Sequence, residues 1–144
     1  MKRAAFSIAL LLLALGGPCA ADTLVVIVNA ASGIEKLDHD QVVNIYMGRY
    51  KRLPSGISAL PFDEPTLKAG FYRGLVGKEP EEINSYWARL YFSGQGSPPR
   101  QLESAAEVID AVVQNKGAIG YIAKQKLDPR VKVVHEIVVP PASR

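Results

Sequence analysis

The sequence predicts an α/β domain, and three observations carry that expectation. Short β-branched apolar runs alternate with amphipathic segments of helical period. Capping residues, prolines and glycines mark where the helices start and stop. No internal repeat interrupts the alternation.

The elements follow in order. Thr23 to Val28 (TLVVIV) is a β-branched run bounded by Asn29-Ala30-Ala31-Ser32-Gly33, which reads as a buried strand entering a turn. Asp38 with Gln41 three residues on forms a capping box, Leu37 and Val42 a hydrophobic staple, and Gly48 closes the helix. After a basic loop over residues 49–56, Ile57 to Pro61 reads as a second strand. Asp63-Glu64-Pro65 reads as the start of a second helix, with Leu67, Phe71 and Leu75 on its buried face. Pro80-Glu81-Glu82 opens a third, with Ile83, Trp87, Leu90 and Tyr91 inward. Residues 94–99 (GQGSPP) form a loop, and Ser104 with Glu107 predicts a capping box for a fourth helix. Ala118 to Ile122 and Val131 to Val139 read as the last strands.

The N-terminal residues predict secretion. Lys2 and Arg3 precede an apolar run from Ala4 to Leu15, broken only by Ser7, and Gly16-Gly17-Pro18 leads into small Cys19, Ala20 and Ala21. This is the layout of a signal peptide over residues 1–21, and the run is too short to span a bilayer. Cleavage after Ala21 puts small residues at both recognition positions. The alternative, a lipid on Cys19, is disfavoured by Gly16 and Pro18 where a Leu-like and a small residue are usual. The expected product is a periplasmic domain over residues 22–144. Cys19 is the single cysteine, so that product has neither a disulfide framework nor a reactive thiol. Without Lys2 and Arg3 the 17 basic residues fall to 15 against 14 acidic ones, a net of +1 that argues against nucleic acid as a partner. No later stretch predicts membrane insertion after processing.

The residues do not predict an enzyme, a metal or a cofactor. His39 and His135 are the two histidines, with no zinc-type spacing around either. Ser93-Gly94 lacks the nucleophile-elbow pattern, and Gly74 to Lys78 lacks both the spacing of a phosphate loop and its hydroxyl. Glu79, Glu81 and Glu82 suit a helix start rather than a metal, and Trp87 with Tyr86, Tyr91 and Phe92 suits core packing more than a ligand cage.

Three ordered segments resemble a known family: residues 43–49 (VNIYMGR), 86–99 (YWARLYFSGQGSPP) and 117–122 (GAIGYI). Together they resemble short single-domain relatives of the periplasmic substrate-binding proteins of phosphate ABC transporters. The resemblance covers nearly all of residues 22–144. It implies a three-layer domain with a mixed β-sheet flanked by helices, as in one lobe of a type II periplasmic binding protein, here the second lobe alone.

In that family the second lobe holds phosphate with an Arg and a Ser-Gly-Thr run at a helix start. Laid on this chain without gaps, the Arg falls on Pro61 and the run on Pro65-Thr66-Leu67. The resemblance thus points to Thr66, Leu67 and Lys68 as ligand-binding residues. Pro65 has no amide to donate and Glu64 is negative, so the phosphate site reads as degenerate and a small anion as a weak ligand. The implied function is a non-catalytic solute-binding-protein-like domain associated with phosphate transport. The alternative is a periplasmic interaction or accessory module that has lost ligand binding, working as a homodimer or with an envelope protein. Tyr50, Arg52, Tyr72 and Tyr121 are the expected interaction face.

Overall fold

The computed structural model describes residues 22–142. The expected signal peptide, Cys19 and the cleavage site lie outside the described residues. Strand β1 (Thr23–Asn29) lies inside the sheet, with a neighbour on each side. It pairs antiparallel with β4 (Ala118–Ala123) on one side and with β5 (Val131–Val138) on the other. Beyond β4 lie β2 (Leu60–Asp63) and β3 (Arg100–Gln101), parallel to one another, with β2 also parallel to β4. The five-stranded mixed sheet has the order β3-β2-β4-β1-β5.

Helices cover both faces, which explains why β1 reads as an unbroken apolar run instead of an alternating one. Leu24, Val26 and Val28 face α1 (His39–Tyr46), α2 (Lys68–Val76) and α3 (Pro80–Phe92), in a core with Tyr46, Phe71 and Trp87. Val25 and Ile27 face the opposite way, onto Val108, Ile109 and Val112 of α4 (Ala105–Gln114). Gly120 in β4 allows that close approach, since a Cβ there would lie 2.5 Å from Val108 Cγ1. The result is the three-layer α/β domain expected from the sequence. Among the described residues no helix is long and apolar enough to cross a membrane.

The predicted helix starts are largely present. Asp38 accepts from the Gln41 amide at 2.8 Å while Gln41 accepts from the Asp38 amide at 2.9 Å. Glu79 and Glu82 make the same reciprocal box before α3, with Pro80 in its first turn. At α4 the expected box forms only in half. Ser104 accepts the Glu107 amide, but the Glu107 carboxylate reaches back one residue further, to the Glu103 amide at 2.8 Å.

Three other expectations are corrected. The second strand is Leu60–Asp63, later than Ile57 to Pro61, because Arg52 bridges Ser58 and the first pairing with β4 begins at Leu60. Helix α2 begins at Lys68, because Asp63 ends the strand opposite Gln101 and Glu64 to Leu67 form a turn, the Leu67 amide donating to the Glu64 carbonyl at 3.1 Å. Tyr91 is 64% exposed, because the core contact of α3 ends with half-buried Leu90 and its last turn projects beyond.

Candidate functional site

In open sheets, ligands gather at the carboxyl ends of parallel strands. Here those are the ends of β2, β3 and β4, leading into α2, α4 and the 3-10 turn Lys124–Lys126. A hollow of about 270 Å³ lies there, lined among others by Glu64, Thr66, Leu67, Ser104 and Lys126. It is the place the resemblance assigns to the anion.

The Thr66 and Leu67 donors in this hollow are already engaged within the chain, while Lys126 brings a cation to its wall. Thr66 donates its amide to Glu64 Oε1 at 3.2 Å and its hydroxyl to Glu64 Oε2 at 2.5 Å. The Leu67 amide is held by the Glu64 carbonyl. Pro65 supplies no amide, and Ser104 and Glu107 occupy the amides of Glu107 and Glu103 at the start of α4. Glu64 is buried, 3% exposed, and its carboxylate satisfies both Thr66 donors from within the chain. Arg73 is also committed, to Glu79 at 3.1 Å.

Thr66 and Leu67 therefore come together in the hollow, but Lys68 does not join them. It lines a separate surface depression with Asn84, Trp87, Tyr91 and Gln101.

Behind the turn lies a cluster that the sequence did not announce. Asp63 is 1% exposed. It accepts the Tyr121 hydroxyl at 2.9 Å and the Tyr72 hydroxyl at 3.0 Å. The Tyr121 oxygen in turn accepts the Glu64 amide at 3.2 Å. Tyr46 closes the cluster, donating its hydroxyl at 3.1 Å to the Phe62 carbonyl. Phe71 stacks on Tyr121 with ring centroids 3.7 Å apart.

Burial pushes the Asp63 carboxyl up to about 6, against the opposing pull of the Tyr121 hydroxyl, the Lys68 charge and the Tyr72 hydroxyl. Burial first, and then the Asp63 charge, raise Tyr46, Tyr72 and Tyr121 well above the ordinary phenol range.

Tyr72 and Tyr121 were expected on an interaction face with Tyr50 and Arg52. They are 1% and 0% exposed, because their hydroxyls satisfy Asp63 inside the core, so the four share no surface. Tyr50 and Arg52 are exposed.

The fold also brings His39 and His135 together, ring centroids 6.2 Å apart, with His135 Nδ1 3.1 Å from the Leu37 carbonyl. Among the described residues no group of three His, Cys, Asp or Glu side chains could hold a metal ion. Only strand pairing links Asp63 to Tyr121, so no local sequence signal could have found this cluster.

No protein-family model matches the chain, and no curated protein matches it. Solved structures do. A putative phosphate ABC transporter substrate-binding protein with bound phosphate from Clostridium perfringens matches with a TM-score of 0.61 and 17% identity, over 78% of this chain and 44% of that one. PstS from Borrelia burgdorferi matches with a TM-score of 0.59 and 15% identity, over 78% and 46%. An ABC-type phosphate transport receptor from Vibrio cholerae matches with a TM-score of 0.54 and 18% identity, over 78% and 45%. The chain thus spans less than half the length of each of these proteins. By its architecture it has the fold of one lobe of a phosphate ABC transporter substrate-binding protein.

Proposed function

We propose that this chain is a secreted, non-catalytic domain of the solute-binding-protein type, associated with phosphate transport, whose anion position is taken by its own Glu64 carboxylate. The observation that carries the reading is the pair of hydrogen bonds from Thr66 to Glu64 in the hollow at the carboxyl end of β2. The fold supplies the kinship with phosphate binders, and fold by itself does not assign a ligand. The lining of the hollow supplies the degeneracy. A phosphate arriving there meets the buried Glu64 carboxylate and Thr66 and Leu67 amides already bonded, with Lys126 as the cation on the lining.

Isothermal titration with phosphate at low salt tests this. Binding no tighter than about millimolar, near −4 kcal/mol, is expected. Micromolar binding abolished by Thr66→Ala would show a working phosphate site and overturn the reading.

A second reading, an envelope interaction module, draws support from Tyr91 and Phe92, which are 64% and 86% exposed in the last turn of α3. Sedimentation over a wide concentration range tests its homodimer form, with Phe92→Ser expected to shift the species toward monomer. A concentration-independent monomer rules out the homodimer.

A further inference from the structure

At the opposite ends of β2 and β3, away from the Glu64–Thr66 turn, the chain forms a second concavity. The loop after α1, loop 94–99 and the first residues of β2 and β3 enclose a cleft of about 350 Å³. That is within the range of about 300–1,000 Å³ usual for small-molecule sites. Lys51 and Arg100 both line it, and no carboxylate does. Neither cation forms an ion pair among the described residues. Two cations on a lining without a carboxylate leave the cleft positive.

Trp87 contributes the edge of its ring. It is 5% exposed, and its Nε1 is the buried side-chain polar atom that lacks a hydrogen-bond partner among the described residues. An indole N–H buried without an acceptor is uncommon in a folded chain. The ring is held firmly. Tyr86 packs edge-on against it at 5.2 Å between centroids and ties α3 to the end of α1 by donating its hydroxyl to the Met47 carbonyl at 2.6 Å.

Glycines let the backbone approach the ring closely. A Cβ at position 48 would lie 2.9 Å from Trp87 Cη2, and one at position 96 would lie 3.5 Å from Lys51 Nζ and 3.9 Å from Trp87 Cζ3. The ammonium and the ring edge therefore flank the same small space.

We propose that this cleft binds a small planar organic anion, its charged group against Lys51 and Arg100 and its flat body against Tyr50, Pro98 and the exposed edge of Trp87. Unpaired cations supply the attraction for the anion, and the exposed Tyr50 ring, with Pro98 and the edge of the indole, supplies the apolar surface for the ring. The site shares no residue with the hollow around Glu64 and Thr66, so it does not depend on whether that hollow binds phosphate.

Trp87 is the single tryptophan, so its indole N–H resonance reports on the cleft directly. The probe is phenyl phosphate, with phenol and inorganic phosphate as its two halves. Phenyl phosphate is expected to shift the indole resonance saturably with a midpoint of about 1 mM or lower, each half binding at least about tenfold more weakly. Lys51→Ala and Arg100→Ala change exposed side chains and leave the core intact. Each is expected to weaken phenyl phosphate by about fivefold or more, while Thr66→Ala leaves the midpoint unchanged. No shift up to about 10 mM overturns the proposal, as does a midpoint that the double variant Lys51→Ala/Arg100→Ala leaves in place. Phenol binding as tightly as phenyl phosphate overturns it too, because the cations then contribute nothing.

Discussion

Thr66 gives both of its donors to one partner: its amide lies 3.2 Å from Glu64 Oε1 and its hydroxyl 2.5 Å from Glu64 Oε2. A carboxylate held this way closes the turn between β2 and α2 and neutralises the donors a phosphate would seek. Glu64→Ala is expected to lower stability by about 1–3 kcal/mol, since charge-assisted bonds to a buried group are lost. The same change frees the Thr66 donors and removes the negative charge. Phosphate binding should then strengthen by at least about tenfold, near 1.4 kcal/mol. Thermal melts and titration calorimetry on the one variant give both readings. An unchanged affinity would mean that Glu64 is not what keeps phosphate out.

The buried Asp63 makes stability depend on pH. Its carboxyl is raised from 3.8 to about 6 in the folded protein, chiefly by burial. The folded state therefore holds the proton more tightly than the unfolded chain. The stabilisation this gives is full below about pH 4 and is lost as pH rises through about 6. A shift of about two units corresponds to roughly 3 kcal/mol. Urea unfolding of the parent and of Asp63→Asn should show Asn gaining on the parent by about that amount between pH 4 and pH 7. A difference that stays flat across this window contradicts the assignment to Asp63.

Trp87 and Gly48 should behave as a coupled pair. Trp87→Ala removes a core ring and is expected to cost about 3–5 kcal/mol. Gly48 has φ of 75°, and a Cβ there would lie 2.9 Å from Trp87 Cη2. Gly48→Ala thus combines backbone strain, about 1–3 kcal/mol, with a clash against the ring. In the double variant the clash disappears while the strain remains. The double variant should cost less than the sum of the two single variants by about 0.5 kcal/mol or more. Additive costs would mean that the ring moves aside freely.

Secretion is testable at the N-terminus. The order of basic, apolar and small residues over positions 1–21 predicts a mature chain beginning at Asp22. Edman sequencing of the exported protein should read Asp-Thr-Leu-Val. A blocked terminus carrying a diacylglycerol on Cys19 would instead make the protein a lipoprotein.

The sequence by itself determined what short-range chemistry controls. Asp38 with Gln41, and Glu79 with Glu82 around Pro80, satisfy helix-start donors within three residues, so their pattern is readable without the fold. The continuous apolar run of β1 already implied a strand covered on both faces, and the four-residue spacing of Ile83 and Trp87 implied their burial. Where a turn competed with a helix, local chemistry misled. Asp63-Glu64-Pro65 has the composition of a helix start, yet Asp63 is the last residue of a strand.

What only the tertiary structure decided is which element covers which. Tyr121 meets Asp63 across 58 residues of chain because β4 pairs with β2, and Tyr72 arrives from α2 packed on the same face. That pairing turned two tyrosines expected at the surface into partners of a buried carboxylate. The cleft beside Trp87 likewise needs the loop after α1 and the start of β3 to meet. Periodicity states that a side chain points inward, but it carries no information about the partner it finds there. That partner is set by strand order and register, which the chain fixes only when distant segments pack together.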